Sequence, residues 1–306
     1  MDQIIIIGSS AAGLSAAIYC ARRGIMPRVV GFDAGVEMLL SGEIGNYPGA
    51  GLTDGWKLTE QFVNQARTYG IIPEIGIKVR AIGVFDNGFI VRAEQDNQSL
   101  EYQAKTVIIA TGGHPRELNV PGEKEFRGKG VSYCTVCDGP VFKGKTTATI
   151  GGGDSANESG IMLSDIADRV YVITKNQDMK GDVSLIKRLK NCQRVTMIYN
   201  ALTTKIIGGK FVEAVEYKDQ TTGELRQIKT DGVFIHIGLI PNSDFCPPEL
   251  KRNARGEIIV DKIMATSMPG VFAAGDVTDT PYKQIGVAVG QGIAAALSCF
   301  DYLNKH

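Results

Sequence analysis

Ile4-Ile5-Ile6-Ile7-Gly8-Ser9-Ser10-Ala11-Ala12-Gly13 is the first patterned stretch of the chain, and its reading decides the fold. Four consecutive β-branched residues suit a strand buried on both faces, as in a parallel sheet covered on each side. Gly8 supplies a tight turn, and Gly13 lets a helix pack closely on the strand. A helical stretch runs on to Arg23, Gly24 is a good stop, and Arg28 to Phe32 reads as the next strand. The turn of such a βαβ unit presents backbone N–H groups at a helix N-terminus, which is a seat for a phosphate. Ser10 holds the middle position, a departure from G-x-G-x-x-G.

The same grammar returns about 140 residues later. Thr146 to Ile150 reads as a strand, Gly151-Gly152-Gly153-Asp154-Ser155-Ala156 as the turn, the residues to about Ile166 as a helix, and Arg169 to Ile173 as the second strand. Finding the pattern twice is far more specific than finding it once. Short strands follow the first unit at Lys78 to Phe85, Phe89 to Ala93 and Lys105 to Ala110. Others follow the second at Val195 to Tyr199, Phe211 to Tyr217, Glu224 to Lys229 and Gly232 to Ile237. Gly270 to Val277 is a strand running into an acidic turn, and a last helix spans about Gln284 to Leu303. The expected class is α/β, with two Rossmann-like, three-layer ββα domains, the second inserted in the first. Residues 1–114 and 245–306 form the discontinuous domain and 115–244 the insert, with crossings at Gly113-His114-Pro115 and Ile240-Pro241-Asn242-Ser243.

Lys plus Arg and Asp plus Glu each number 33, so no bulk charge argues for nucleic acid or an anionic membrane. Met1-Asp2-Gln3 lacks the basic start and apolar core of a signal peptide. No apolar run approaches the ~20 residues that span a bilayer, because Gly286 to Phe300 is short and is interrupted by Gln291. The expectation is a cytoplasmic protein. Of six cysteines only Cys134 and Cys137 are close together, so Cys20, Cys192, Cys246 and Cys299 read as buried or spare. A zinc site wants two further Cys or His ligands at short spacing, and with three histidines in the chain redox chemistry is the stronger reading.

Two acids extend the phosphate-seat reading. Asp33 falls about 20 residues after Gly13, at the end of the second strand, where an acid binds a ribose hydroxyl. Asp276, after Gly275, is placed to accept a ribityl hydroxyl, and with Ala110-Thr111-Gly112 it turns the dinucleotide reading toward a flavin. In Cys134-Thr135-Val136-Cys137-Asp138 two cysteines at a helix start can close a disulfide, with the dipole favouring a thiolate. A disulfide over a flavin accepts two electrons, and Asp138 is placed to give a proton to the departing sulfur. Tyr133, Asp138, Gly139 and Pro140 are not the flanks of inert core cysteines.

Ser132-Tyr133-Cys134-Thr135-Val136-Cys137-Asp138-Gly139 closely resembles the active-site signature of the low-molecular-weight thioredoxin reductases. Asn46-Tyr47-Pro48-Gly49, Ala110-Thr111-Gly112, Gly151 to Ala156 and Gly275-Asp276-Val277 match the same family in order and spacing across essentially the whole chain. The resemblance implies an FAD domain, an inserted pyridine-nucleotide-type domain carrying the disulfide, a homodimer, and thioredoxin or a similar small disulfide protein as substrate. It implies FAD contacts at Gly8, Ser10, Ala11, Ala12, Gly13, Asp33, Asn46, Ala110, Thr111, Gly112, Gly275, Asp276, Gln284 and Ile285. By the same resemblance Cys137 faces the flavin, Cys134 attacks the thioredoxin disulfide, Asp138 is the acid–base, and a domain rotation alternates the two encounters.

The chain departs from the family in two places. Where NADPH-dependent members carry His-Arg-Arg and a further Arg for the 2′-phosphate, it has Thr174-Lys175-Asn176, with Lys180 beyond. One lysine does not replace arginine's bidentate fork, and no acid stands there for NADH. The expected nucleotide site of Gly151, Gly153, Asp154, Ser155 and Lys175 is therefore vestigial, and the expected donor is reduced ferredoxin or a deazaflavin rather than NADPH. The family's Gly-Gly-Gln-Leu is here Gly35-Val36-Glu37-Met38, where Val36 would crowd the ring and Glu37 would add a charge that lowers the flavin potential. Trp56 reads as packing, Tyr302 as an ordinary terminal residue, and His114 and His236 as structural. Other readings stay open: an NADPH enzyme with an atypical clamp, a disulfide oxidase or diaphorase, and a flavin-bound redox sensor without turnover. Asp138 favours turnover, since a sensor has no evident need of a proton donor.

Overall fold

Alternation along the strand explains why four isoleucines run together. The computed structural model describes every residue except Ala34, residues 40–42, Asn87 and His306, and only the backbone of Val36 and Glu43. Strand Asp2–Ile7 lies between Arg28–Gly31 and Gln98–Ile109, parallel to both. Ile4 and Ile6 enter a core with Leu14, Ala17, Phe62 and Ala295 of the helices Ala11–Arg22, Gly55–Thr68 and Ile285–Leu303. Ile5 and Ile7 enter a second core with Ile82, Phe89 and Val91 of the antiparallel strands Lys78–Phe85 and Gly88–Gln95. A polar residue at any of the four would be buried on one side or the other. Each buried isoleucine contributes about 1.5–3 kcal/mol.

By its contacts the chain divides into two compact units, Met1–His114 with Ile240–His306, and Pro115–Leu239. Leu239–Pro241 forms a strand paired with Gly113–Pro115. In the first unit, the sheet among the described residues runs Glu74–Ile75, Arg28–Gly31, Asp2–Ile7, Gln98–Ile109, Gly88–Gln95, Lys78–Phe85, with Val271–Ala273 also on Gln98–Ile109. Gln98–Ile109 does two jobs along its 12 residues. Its first half pairs antiparallel with Gly88–Gln95, and its second half pairs parallel with Asp2–Ile7 and Val271–Ala273. The sequence reading finds only the apolar second half, because Gln98 to Gln103 is mostly polar and outward-facing.

Helix Ile285–Leu303, at 19 residues, is long and apolar enough to cross a bilayer by length and composition only, a test that a core helix also passes. In the first unit it serves as packing against Ala11–Arg22. Ala288, Gly292, Ala295 and Cys299 are on its buried side, and a Cβ on Gly292 would stand 2.1 Å from the Ala12 carbonyl oxygen. Tyr302 packs edge-on against Phe272, with ring centroids 6.3 Å apart. Trp56, expected to pack, is 69% exposed in the first turn of its helix.

The second unit repeats the plan. Its parallel sheet runs Val131–Ser132, Gly232–Ile235, Thr146–Ile150, Arg169–Ile173, Val195–Ile198. Ala148, Ile150, Val233 and Ile235 pack on the antiparallel strands Ala201–Gly208 and Val212–Asp219, whereas Val170, Val172 and Phe234 pack on the helices Asp154–Ile166 and Val183–Asn191.

Candidate functional site

Helix starts divide into two kinds. Helix Gly55–Thr68 is capped by Asp54, whose side chain accepts from Lys57 N, and helix Val183–Asn191 by Asp182, which accepts from Ser184 N and Leu185 N. Such capping satisfies N–H groups that the helix cannot. Helices Ala11–Arg22, Asp154–Ile166 and Ile285–Leu303 begin at Ser10, Gly153 and Gln284 with no side-chain cap. Their first N–H groups are left for an anion.

Two of these open starts lie in the first unit, where most of the expected FAD residues converge. A Cβ on Gly8, at φ +121°, would stand 2.1 Å from the Ala110 carbonyl oxygen, so the turn lies directly on the strand end Ala110-Thr111-Gly112. The Gly13 position is equally closed, 1.9 Å from the Gly8 carbonyl oxygen. A Cβ on Gly275 would meet those of Ala12 at 3.1 Å and Ala288 at 3.6 Å. Gly112, at φ +65°, has open space where a Cβ would be. Asn46 Nδ2 donates to Gln284 Oε1 at 3.1 Å, beside Ile285. Asp33 stands past the end of its strand and is exposed; its Oδ1 accepts Gly35 N at 2.7 Å.

Asp276 supplies the fit test for a bound group. Its carboxylate makes no hydrogen bond among the described residues, although burial pushes its pKa up; Lys283 pulls it down and Glu37 raises it further. A half-buried acid without an internal partner suits a ligand hydroxyl. With the open helix starts at Ser10 and Gln284, the residues present fit FAD. Glu37 therefore adds charge close to Asp276, whereas the Val36 side chain lies outside the described residues. Gln291, read only as a break in an apolar helix, accepts the Gly275 N–H at 2.8 Å and donates to Thr280 Oγ1 at 2.5 Å. A lone amide inside an apolar stripe was the signal.

In the second unit, Cys134 and Cys137 form a disulfide, with Cα atoms 5.3 Å apart. Strand Val131–Ser132 delivers Cys134 to the start of the one-turn helix Thr135–Asp138, where Cys134 Sγ accepts the Cys137 N–H at 3.2 Å. Ser132 Oγ accepts the Cys134 N–H at 3.1 Å and donates to Asp138 Oδ2 at 2.5 Å. Burial raises the Asp138 pKa, and the Ser132 bond offsets part of that rise. The carboxyl thus holds its proton more tightly than an exposed aspartate, as a proton donor to sulfur requires. Cys20, Cys246 and Cys299 are buried, and burial pushes each thiol up to about 12.

The expected nucleotide residues have different fates. Gly151, at φ +157°, lies against the His236 carbonyl oxygen, 2.2 Å from where a Cβ would be, and Gly153 faces open space. Asp154 and Ser155 are exposed, and Asp154 Oδ1 accepts the Asp182 N–H at 2.7 Å. At the tip of Arg169–Ile173, Thr174 is buried and its Oγ1 accepts the Asn176 N–H at 3.2 Å. Lys175 borders a polar recess of about 400 Å³ with Gln177, Asn200, Gln220 and Thr221.

An anion seat for a dinucleotide in one unit and a reducible bond between two cysteines in the other define a flavin-linked disulfide oxidoreductase. The chain belongs to the pyridine nucleotide-disulphide oxidoreductase family, which it matches over residues 2–292. It is 41% identical over 304 residues to a protein named NADH dehydrogenase from Bacillus subtilis, covering 99% of this chain and 59% of that one. It is 42% identical over 303 residues to an alkyl hydroperoxide reductase component from Pseudomonas putida, covering 98% and 58%. The chain therefore spans about three fifths of the length of these curated relatives. Among solved structures it resembles thioredoxin reductase from Streptococcus pyogenes, with TM-score 0.89, 33% identity and coverage of 99% and 98%. It also resembles a ferredoxin-flavin thioredoxin reductase from Clostridium acetobutylicum, with TM-score 0.53, 30% identity and coverage of 99% and 98%. The chain is an FAD-binding oxidoreductase of thioredoxin-reductase-like α/β fold.

Proposed function

We propose that the protein reduces the disulfide of thioredoxin or a similar small protein through Cys134 and Cys137, using a donor other than NADPH. The observation that carries this is the Cys134–Cys137 bond set beside a half-buried acid, Asp138, that shares a hydroxyl with the Cys134 backbone. FAD, when bound and reduced by that donor, would supply an electron pair to that bond. The sulfur–sulfur bond then breaks, Cys134 and Cys137 become one thiolate and one thiol, and Asp138 gives the proton. Cys134 attacks the partner's disulfide, forming a mixed disulfide and releasing one partner thiolate. Cys137 attacks Cys134, restores the original bond, and releases the second partner thiol. Exposed Val136, between the two cysteines, and Val141, four residues beyond, suit a protein partner better than a small polar one. The same residues serve a homodimer in a reducing, cytoplasmic setting, where three buried thiols stay unmodified.

The donor reading rests on Thr174 and Lys175. A buried threonine bonded to its own loop leaves neither an arginine fork for a 2′-phosphate nor an acid for a free ribose. The neighbour named a ferredoxin-flavin thioredoxin reductase supports a low-potential donor. A second reading, NADH, is favoured by the open helix start at Gly153 and by the relative named NADH dehydrogenase. Anaerobic absorbance separates them: the flavin band should persist with NADPH and bleach with reduced ferredoxin or reduced deazaflavin. Bleaching by NADH selects the second reading, and rapid bleaching by NADPH overturns both.

A further inference from the structure

Between the two cysteines, Thr135 turns inward at 5% exposure while Val136 turns outward at 51%. Thr135 Oγ1 lies 2.8 Å from His236 Nε2 and 2.7 Å from Ser159 Oγ, which lies 3.1 Å from Thr149 Oγ1. The four groups come from the Cys-pair helix, the residue after strand Gly232–Ile235, helix Asp154–Ile166 and strand Thr146–Ile150. The His236 backbone is itself fixed, since its N–H donates to Ile150 O at 2.8 Å. The aim of its ring at Thr135 is therefore set by the sheet.

Proton counting gives the chain a direction. Each hydroxyl brings one proton, and a neutral imidazole brings one acceptor nitrogen and one N–H. If His236 Nε2 donated, the bonds would run from His236 to Thr135, Ser159 and Thr149. The proton of Thr149, wholly buried and bonded to no other group among the described residues, would then have no acceptor. In the reverse direction Thr149 donates to Ser159, Ser159 to Thr135 and Thr135 to His236 Nε2, so every hydroxyl proton is used, and the imidazole carries its one N–H at Nδ1, on a residue that is only partly buried. A buried polar group left unmade costs more than a made bond gains, so the second direction wins. It requires a neutral acceptor, and burial holds His236 down to about 4.

We propose that His236 is a positioning residue for the redox pair, acting as the acceptor that anchors Thr135 and so holds the cysteine turn in place when the disulfide opens. The inference rests on Cys134 and Cys137 being the redox-active pair. While they are bonded, the disulfide itself fixes the turn. Once it is reduced, the Cys137 N–H stays aimed at Cys134 Sγ only as far as the turn is anchored, and Thr135 is the anchor between the two sulfurs. That N–H favours the Cys134 thiolate.

The test uses the full chain, reduced with dithiothreitol, and measures alkylation of Cys134 and Cys137 by iodoacetamide across pH, with adducts located by mass spectrometry and thermal unfolding run alongside. Thr135→Val keeps the shape and removes the link; His236→Phe removes the acceptor; His236→Gln restores one through its amide oxygen. Thr135→Val and His236→Phe are expected to slow alkylation near neutral pH on the order of fivefold and to move its pH profile upward, with His236→Gln close to the parent. Should His236→Phe not fold, Thr135→Val and His236→Gln still decide the matter. A parental rate and profile in Thr135→Val, even with a lower melting temperature, would mean packing alone and overturn the inference. A parent that yields no new thiols at Cys134 and Cys137 on reduction would overturn the redox-pair reading as well.

Discussion

Ser132 Oγ donates to Asp138 Oδ2 at 2.5 Å, so the acid beside the redox pair is held by the residue two before Cys134. The same oxygen accepts the Cys134 N–H, which ties proton donor and nucleophile to one hydroxyl. That bond favours the ionised carboxylate, against the burial that disfavours it. Ser132→Ala removes the opposing influence, and the Asp138 pKa should rise further. Because the protonated acid is the active form, the alkaline limb of the pH–rate profile for disulfide reduction should move to higher pH. A shift the other way would remove Asp138 from the acid role.

Asp138 also links activity to stability. Its folded pKa is raised, so the folded state binds this proton more tightly than the unfolded chain does. Its contribution to stability is full below the ordinary aspartate range and is lost as pH rises through the folded pKa. Asp138→Asn should therefore be at least as stable as the parent at neutral pH by urea unfolding, while its turnover falls about 10²-fold or more. A variant that loses stability and keeps turnover contradicts the assignment.

Asp276 should be needed by the flavin and not by the fold. Replacing a half-buried acid that accepts a ligand hydroxyl loses about 1.5–3 kcal/mol of binding. Asp276→Ala should thus bind FAD roughly tenfold to hundredfold more weakly in a fluorescence titration. In flavin-free protein, burial raises the pKa of Asp276, so Asp276→Asn should unfold no earlier than the parent near neutral pH.

Two glycines with similar motif positions should behave oppositely. Gly8→Ala forces a Cβ to 2.1 Å from the Ala110 carbonyl oxygen at φ +121°, and should cost roughly 3 kcal/mol or more. Gly153 has φ −114°, open space and no cap on its helix, so Gly153→Ser should add a cap and stabilise by about 0.5–1 kcal/mol. The new hydroxyl would occupy N–H groups that a nucleotide phosphate needs. Reduction by a ferredoxin-type donor should be unchanged, whereas a slowed NADH reaction would support the second donor reading.

What the sequence displays are local features with strong physical requirements. The run Ile4 to Ile7 needs two buried faces, Gly8 cannot bear a side chain, and two cysteines three residues apart readily close a ring; each is visible without coordinates. Polar edges hide themselves. The first half of Gln98–Ile109 and the strand Ala201–Gly208, with exposed Leu202 and Lys205, carry little apolar signal and escape a reading by pattern. Trp56 misleads because an aromatic side chain in a helix's first turn can point to solvent. Contacts between distant residues are out of reach: His236 lies about 100 positions from Thr135 in sequence, and nothing in its strand names the hydroxyl it meets. Gln291 is visible as an interruption, but its partner, the Gly275 N–H, is known only from the fold.

The central claim is that electrons leave the flavin through Cys134 and Cys137. Anaerobic titration of the FAD-loaded chain with dithionite, followed by absorbance, tests it most directly. The parent should take up the flavin's electron pair and a further pair for the disulfide. A variant with Cys134→Ser and Cys137→Ser should take up the flavin's pair alone and fail to reduce thioredoxin. Equal uptake by parent and variant, or thioredoxin reduction by the variant, would contradict the account.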